Sequence, residues 1–216
     1  MSYSIVLTGP SRSFPGEHDF LRNASKDADV VFVLGSDVGS ALPHLRDKNA
    51  VIIELGHECL GVHTGESRGN EGSSVLGFAR FRLGEAPPTN LVELVRQPRS
   101  EPMAIAAAKQ AFESAGLGVA ICNDFPGRIV NRLLRPYLNA ALRRLDEGLA
   151  TADDMDTTLR LGLGYPEGPI ALLDRTGLAA HFEVTQALYE ALGDPAYAPA
   201  RRARVAFERK NSPEKK

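Results

Sequence analysis

The sequence predicts an α/β unit followed by an all-helical unit. Two observations carry that expectation. Up to Cys122, short continuous apolar runs alternate with loops rich in Gly, Pro and Ser. From Pro126 onward, apolar residues recur at helical spacing instead. The change falls at Asp124-Phe125-Pro126-Gly127, so residues 1–123 are expected to form the α/β part and residues 124–216 the helical part.

Ser4-Ile5-Val6-Leu7-Thr8 reads as a buried strand that stops at Gly9-Pro10. Asp29 to Leu34 and Ala50 to Leu55 are two more apolar runs, the first ended by Gly35. Continuous rather than alternating apolar character fits strands covered on both faces, as in a parallel sheet. Gly65 to Ser74 is polar and Gly-rich and reads as a loop. Val75 to Phe81 and Leu91 to Val95 are further strands, and Val119 to Cys122 is the last. Between the last two lies an Ala-rich helix from Glu101 to Ala115, stopped by Gly116 and Gly118. After Pro126, Ile129, Leu133, Leu134, Tyr137, Leu138, Ala141, Leu142 and Leu145 trace a long amphipathic helix. Thr151 with Asp154 resembles a capping box opening a helix through Leu161, with Gly162 and Gly164 as its stop. Pro169 to Leu173 and Ala179 to Leu192 are expected to be helical as well.

Hydrophobic residues make up 43% and charged residues 24%, enough for a genuine core. The net charge of −2 gives no whole-chain case for nucleic acid or an anionic membrane. Cys59 and Cys122 stand far apart in no metal-ligand spacing, so neither a disulfide scaffold nor a metal centre is expected. The first residues lack a basic stretch followed by a long apolar run, and no apolar run approaches membrane-spanning length. A cytoplasmic protein is the expectation. The basic segment from Arg201 to Lys216 could meet a phosphate, although such ends are commonly solvated.

Two ordered motifs carry a resemblance. Pro126-Gly127-Arg128-Ile129-Val130-Asn131-Arg132-Leu133 is similar to P-G-F-I-V-N-R-L, and Leu161-Gly162-Leu163-Gly164-Tyr165-Pro166-Glu167-Gly168-Pro169 is similar to L-G-x-G-x-P-x-G-P. Asp153-Asp154-Met155-Asp156 lies between them in a fitting place, and Asn90 to Val95 resembles K-L-V-E-V. Together they resemble the 3-hydroxyacyl-CoA dehydrogenase family, from about Val75 to about Arg204. The resemblance implies a truncated Rossmann-like parallel sheet and a helical C-terminal domain on the acyl-CoA side. It also implies NAD as cofactor, an acyl-CoA ligand and a homodimer through the helices. The family's catalytic glutamate falls on Glu93 and its active-site asparagine on Asn131.

Two departures bear on function. Oxidation of a 3-hydroxyl needs a base for the hydroxyl proton, and a carboxylate-held histidine supplies it. The family places this histidine in G-[LM]-H-F-F-N-P; here Gly77-Phe78-Ala79-Arg80-Phe81-Arg82 puts Ala79 there, with Arg82 at the asparagine. Glu58 aligns with a serine of the family's site, and His57 and His63 are loop candidates for a relocated base. The second departure is the glycine fingerprint G-x-G-x-x-G, which lets backbone approach a pyrophosphate. Gly9-Pro10-Ser11-Arg12 follows the first strand and Gly35-Ser36-Asp37-Val38-Gly39 the second, so Gly9 and Gly35 are weak stand-ins for it. Part of the usual β-α-β material between the first two strands is also missing. Three readings remain open: a dehydrogenase with weakened activity, a non-catalytic acyl-CoA-binding or dimerising relative, and a non-redox acyl-CoA enzyme using a carboxylate base.

Overall fold

The computed structural model describes residues 2–212. The chain divides into two compact units: Met1–Arg82 with Pro88–Arg128, and Leu83–Pro87 with Ile129–Lys216. They are called the sheet unit and the helical unit below.

The sheet unit is built on β1 (Ser4–Leu7), β2 (Val30–Leu34), β3 (Ala50–Glu54), β4 (Val75–Arg80), β5 (Leu91–Arg96) and β6 (Gly118–Asn123). The strands lie side by side in chain order. Every pairing is parallel except β4–β5, which is antiparallel. The reversal follows from the linker: residues 81–90 are too few for a parallel crossover, which needs about a dozen residues or more. β2 and β3 are buried along their whole length, as their unbroken apolar character requires. One face packs Phe20, Phe32, Phe78 and Phe112 in mutual ring contacts at 4.9–6.3 Å. Helix α4 (Pro102–Ser114) covers this face with Ala104, Ala107, Ala108, Ala111 and Phe112. The other face packs Val31, Val33, Val51, Ile53 and Leu55 under Leu60.

Three four-residue helices complete this unit: α1 (Asp19–Arg22), α2 (Val38–Ala41) and α3 (Gly61–Thr64). They are too short to leave a periodic apolar signal. α1 forms because the His18 ring accepts the Phe20 N–H while Phe20 itself is fully buried.

The helical unit contains α5 (Val130–Asp146), α6 (Ala152–Leu163), α7 (Pro169–Thr176), α8 (Leu178–Leu192) and α9 (Arg201–Asn211). Pro136 lies inside α5 and removes the N–H that would reach the Arg132 carbonyl. That carbonyl instead accepts the Tyr197 hydroxyl at 3.1 Å. Thr151 caps α6 by accepting the Asp154 N–H, and Gly164 ends it in the left-handed conformation. Asp156, on α6, accepts the N–H groups of Ile170 and Ala171 at 2.9 and 2.8 Å, so one carboxylate closes the first turn of α7. Gly168 is required there, since a Cβ would lie 2.2 Å from the Asp156 side chain. The acidic run and the Gly-Pro turn noted in the sequence are thus one joint.

The basic segment after Arg201 is helical over its described part, with its charged side chains exposed; Pro213–Lys216 lie outside the described residues. Phe207 of α9 stacks on Phe182 of α8 at 4.6 Å, and Arg201 and Arg202 pair with Asp146. The segment Leu83–Pro87 groups with these helices. Glu85 donates its N–H to the Thr176 carbonyl at 2.8 Å and takes Lys210 on its carboxylate at 2.7 Å. Among the described residues no helix is long and apolar enough to cross a membrane, and no cluster of side chains could hold a metal ion.

Candidate functional site

In the sheet unit the antiparallel register sets Ala79 directly opposite Glu93. Partnered residues share a face of the sheet, so an imidazole at 79 would stand beside this carboxylate, and a methyl group is there instead. Glu93 takes a different partner. Its carboxylate pairs with Arg128 Nε at 3.4 Å, and the two side chains are only 2% and 6% exposed. Arg128 also donates to the Gly56 carbonyl at 2.8 Å. Gly127 and Arg128 both adopt positive φ, 78° and 53°, and this turn carries the guanidinium. Reading Pro126-Gly127 as the start of the motif missed Arg128, although it stands where the family pattern has Phe and that mismatch was visible in the sequence.

Elsewhere in the sheet unit, loop amides are held by internal carboxylates. Glu54, 4% exposed, accepts Ser13 N–H at 2.5 Å and Gly35 N–H at 2.9 Å. Asp124 accepts the N–H groups of Leu60 and Gly61, both at 2.7 Å. Glu58 accepts Gly56 N–H at 3.0 Å and lies 3.5 Å from His63 Nε2. Burial pushes the Glu58 carboxyl up, but the Gly56 amide, its own amide and His63 outweigh this and leave it below the usual range. It is therefore a charged acceptor and a weak base. His57 Nε2 lies 3.3 Å from Arg12 Nη1. Burial, followed by nearby carboxylates, pushes the thiols of Cys59 and Cys122 up to about 11, so neither is a nucleophile near neutral pH.

Asn131 belongs to the helical unit, in a buried polar chain that periodicity did not reveal. Asn131, Arg135 and Asn139 fall one turn apart along α5 on its buried face. Arg135, 1% exposed, donates from Nε to Asn131 Oδ1 at 2.9 Å and meets His181 Nδ1 at 2.8 Å. A guanidinium can only donate, so Nδ1 accepts and Nε2 carries the proton toward Asn139 Oδ1 at 2.9 Å. Burial, then the Arg135 charge, depresses the His181 pKa to about 3 and keeps the ring neutral.

A dinucleotide fold offers its ligand free backbone donors where the strand order reverses. The order here runs without reversal among the described residues. No helix follows Gly9 directly; Phe14 turns into the core, stacked on Phe20 at 4.8 Å. Gly9 and Gly35 come together, but against each other. A Cβ on Gly35 would lie 2.6 Å from Gly9 N. Their close approach serves loop packing, and the N–H groups of Gly35 and Ser13 are taken by Glu54. These residues do not fit a pyrophosphate.

Residues 127–216 match the family model described as 3-hydroxyacyl-CoA dehydrogenase, C-terminal domain. A 3-hydroxybutyryl-CoA dehydrogenase from Bradyrhizobium diazoefficiens is 36% identical over 117 residues, 54% of this chain and 40% of the relative. The human mitochondrial hydroxyacyl-coenzyme A dehydrogenase is 41% identical over 92 residues, 43% of this chain and 29% of that protein. The crystal structure of FadB2 from Mycobacterium tuberculosis superposes with a TM-score of 0.70 at 25% identity, covering 85% of this chain and 67% of that one. That of (S)-3-hydroxybutyryl-CoA dehydrogenase PaaH1 from Ralstonia eutropha gives 0.68 at 25%, covering 82% and 64%. The matched region spans about two-fifths of the length of the first curated relatives. The α/β sheet and the helical domain are those expected from the sequence, and residues 127–216 carry the C-terminal domain of the 3-hydroxyacyl-CoA dehydrogenase family.

Proposed function

We propose that this chain binds an acyl-CoA but no longer transfers hydride. One observation carries the reading: the Glu93 carboxylate faces Ala79 and pairs with Arg128 at 3.4 Å. Hydroxyl oxidation requires a group that accepts the proton as hydride departs. Ala79 cannot, and an arginine stays protonated. Arg128 therefore turns the expected base–carboxylate pair into an ion pair, which supports binding rather than proton transfer. Glu58 does not replace the histidine, because hydrogen bonding already favours its charged form.

The acyl-CoA assignment rests on the family, with Asn131 as the polar contact of the helical unit, its oxygen held by Arg135. Self-association through the helices is part of the same proposal. It is supported by α6, which buries none of its residues and leaves Leu161 81% exposed.

The test is separate titration with NADH and with acetoacetyl-CoA, followed by a turnover assay with both. Acetoacetyl-CoA is expected to bind and NADH to remain unoxidised. Acetoacetyl-CoA-dependent oxidation of NADH would overturn the proposal and direct attention to His57, His63 and Glu58. Binding of neither ligand would reduce the reading to self-association.

A further inference from the structure

β1 and β2 are adjacent parallel strands, and the chain leaving each of them turns an N–H toward the same buried carboxylate. Glu54 ends β3 and uses both oxygens, one on Ser13 and one on Gly35. The loop carrying Ser13 is not loosely laid over this group. The Ser13 hydroxyl accepts the Arg80 N–H at 3.2 Å, Phe14 is 5% exposed, and the Arg80 guanidinium lies 5.4 Å from the Phe14 ring centre. An open α/β sheet binds phosphate with backbone N–H groups at the carboxyl ends of neighbouring strands. Here such donors already hold a negative charge supplied by the chain.

We propose that Glu54 is an internal anion standing in for the phosphate of a dinucleotide, which closes the sheet unit to nicotinamide dinucleotides and leaves a latent anion site beneath one carboxylate. The inference goes beyond acyl-CoA binding and stands whether or not that ligand binds. An incoming pyrophosphate would have to displace Glu54 from both amides and bring further negative charge beside it. Buried carboxylates lose their hydrogen bonds only at substantial cost, so the closed form persists at ordinary ligand concentrations.

The experiment uses the full chain and inorganic pyrophosphate, with acetate as a second probe. Wild-type protein and Glu54→Ala are unfolded thermally across a series of each anion. The wild type is expected to show no saturable response. Glu54→Ala is expected to unfold earlier and to regain its midpoint saturably, on the order of 5 °C at about 100 times Kd. Glu54→Gln fills the space with a neutral amide and is expected to show no such rescue. Where Glu54→Ala does not fold in plain buffer, refolding across the same series replaces the thermal readout, and recovery of folded protein supports the proposal. Saturable pyrophosphate binding by the wild type that shifts the Ser13 and Gly35 amide resonances would overturn it. So would an anion-insensitive Glu54→Ala, folded or not.

Discussion

Asp156 in the helical unit and Glu54 in the sheet unit each accept two backbone N–H groups, at 2.8–2.9 Å and at 2.5–2.9 Å. The local chemistry is the same, but the positions differ. Asp156 closes the first turn of α7 and lies between the two motifs by which the family is recognised. Glu54 closes two strand ends where a dinucleotide fold would receive its ligand. A carboxylate on backbone donors thus preserves architecture in one unit and removes a binding surface in the other. The helical unit has kept the family's joints, while the sheet unit has satisfied its open donors internally.

The largest expected effect lies in the sheet unit. Arg128→Ala leaves Glu93 buried without its guanidinium, and breaking such a pair costs about 3–5 kcal/mol. Urea unfolding monitored by amide exchange in β4, β5 and β6 would show the loss, and unchanged protection there would mean that the pair is not structural.

The helical unit is expected to carry the acid sensitivity. His181 has a folded pKa of about 3 against 6.5 when free, so its neutral form is favoured by the fold. Its contribution is fully present above pH 6.5 and is lost as pH falls toward 3, because the unfolded chain then binds the extra proton. This one group should lower stability by about 3 kcal/mol at pH 4 relative to neutrality. His181→Gln can still accept from Arg135 and donate to Asn139, so it should flatten this acid limb without loosening α5 and α8 at neutral pH. An unchanged pH profile in the variant would assign the limb to other groups.

The smallest effect tests the shared clamp itself. Asp156→Ala removes two charge-assisted hydrogen bonds at a helix start and should cost about 2 kcal/mol. Added anion is not expected to recover it, because the Gly168 turn packs directly against that side chain. Recovery by acetate equal to that of Glu54→Ala would erase the distinction between the two clamps.

The sequence exposed those parts of the fold whose causes are local. β2 and β3 are apolar because both their faces are covered, and α5 shows its stripe over many turns. Glu93 and Asn131 were reached through neighbouring motif residues. Their partners were harder to find, because they are set by tertiary contact. Glu54 reads as the polar end of an apolar strand, with partners 41 and 19 positions away. Arg135 meets a histidine 46 positions on, and a lone arginine in a helix ordinarily signals solvent. α9 looked like a charged end because only Phe207 and its neighbours on one side find apolar cover.

The segment Leu83–Pro87 bears on how the molecule can be taken apart. Gly84 sits at φ 56°, so close to Thr176 that a Cβ would lie 1.9 Å from its carbonyl oxygen, and Glu85 ties the same stretch to Lys210. Subcloning at the family boundary, residue 127, would leave this short tie behind with the strands. A free-standing helical fragment would need the pentapeptide grafted back, or a replacement for the N–H that Glu85 offers to Thr176.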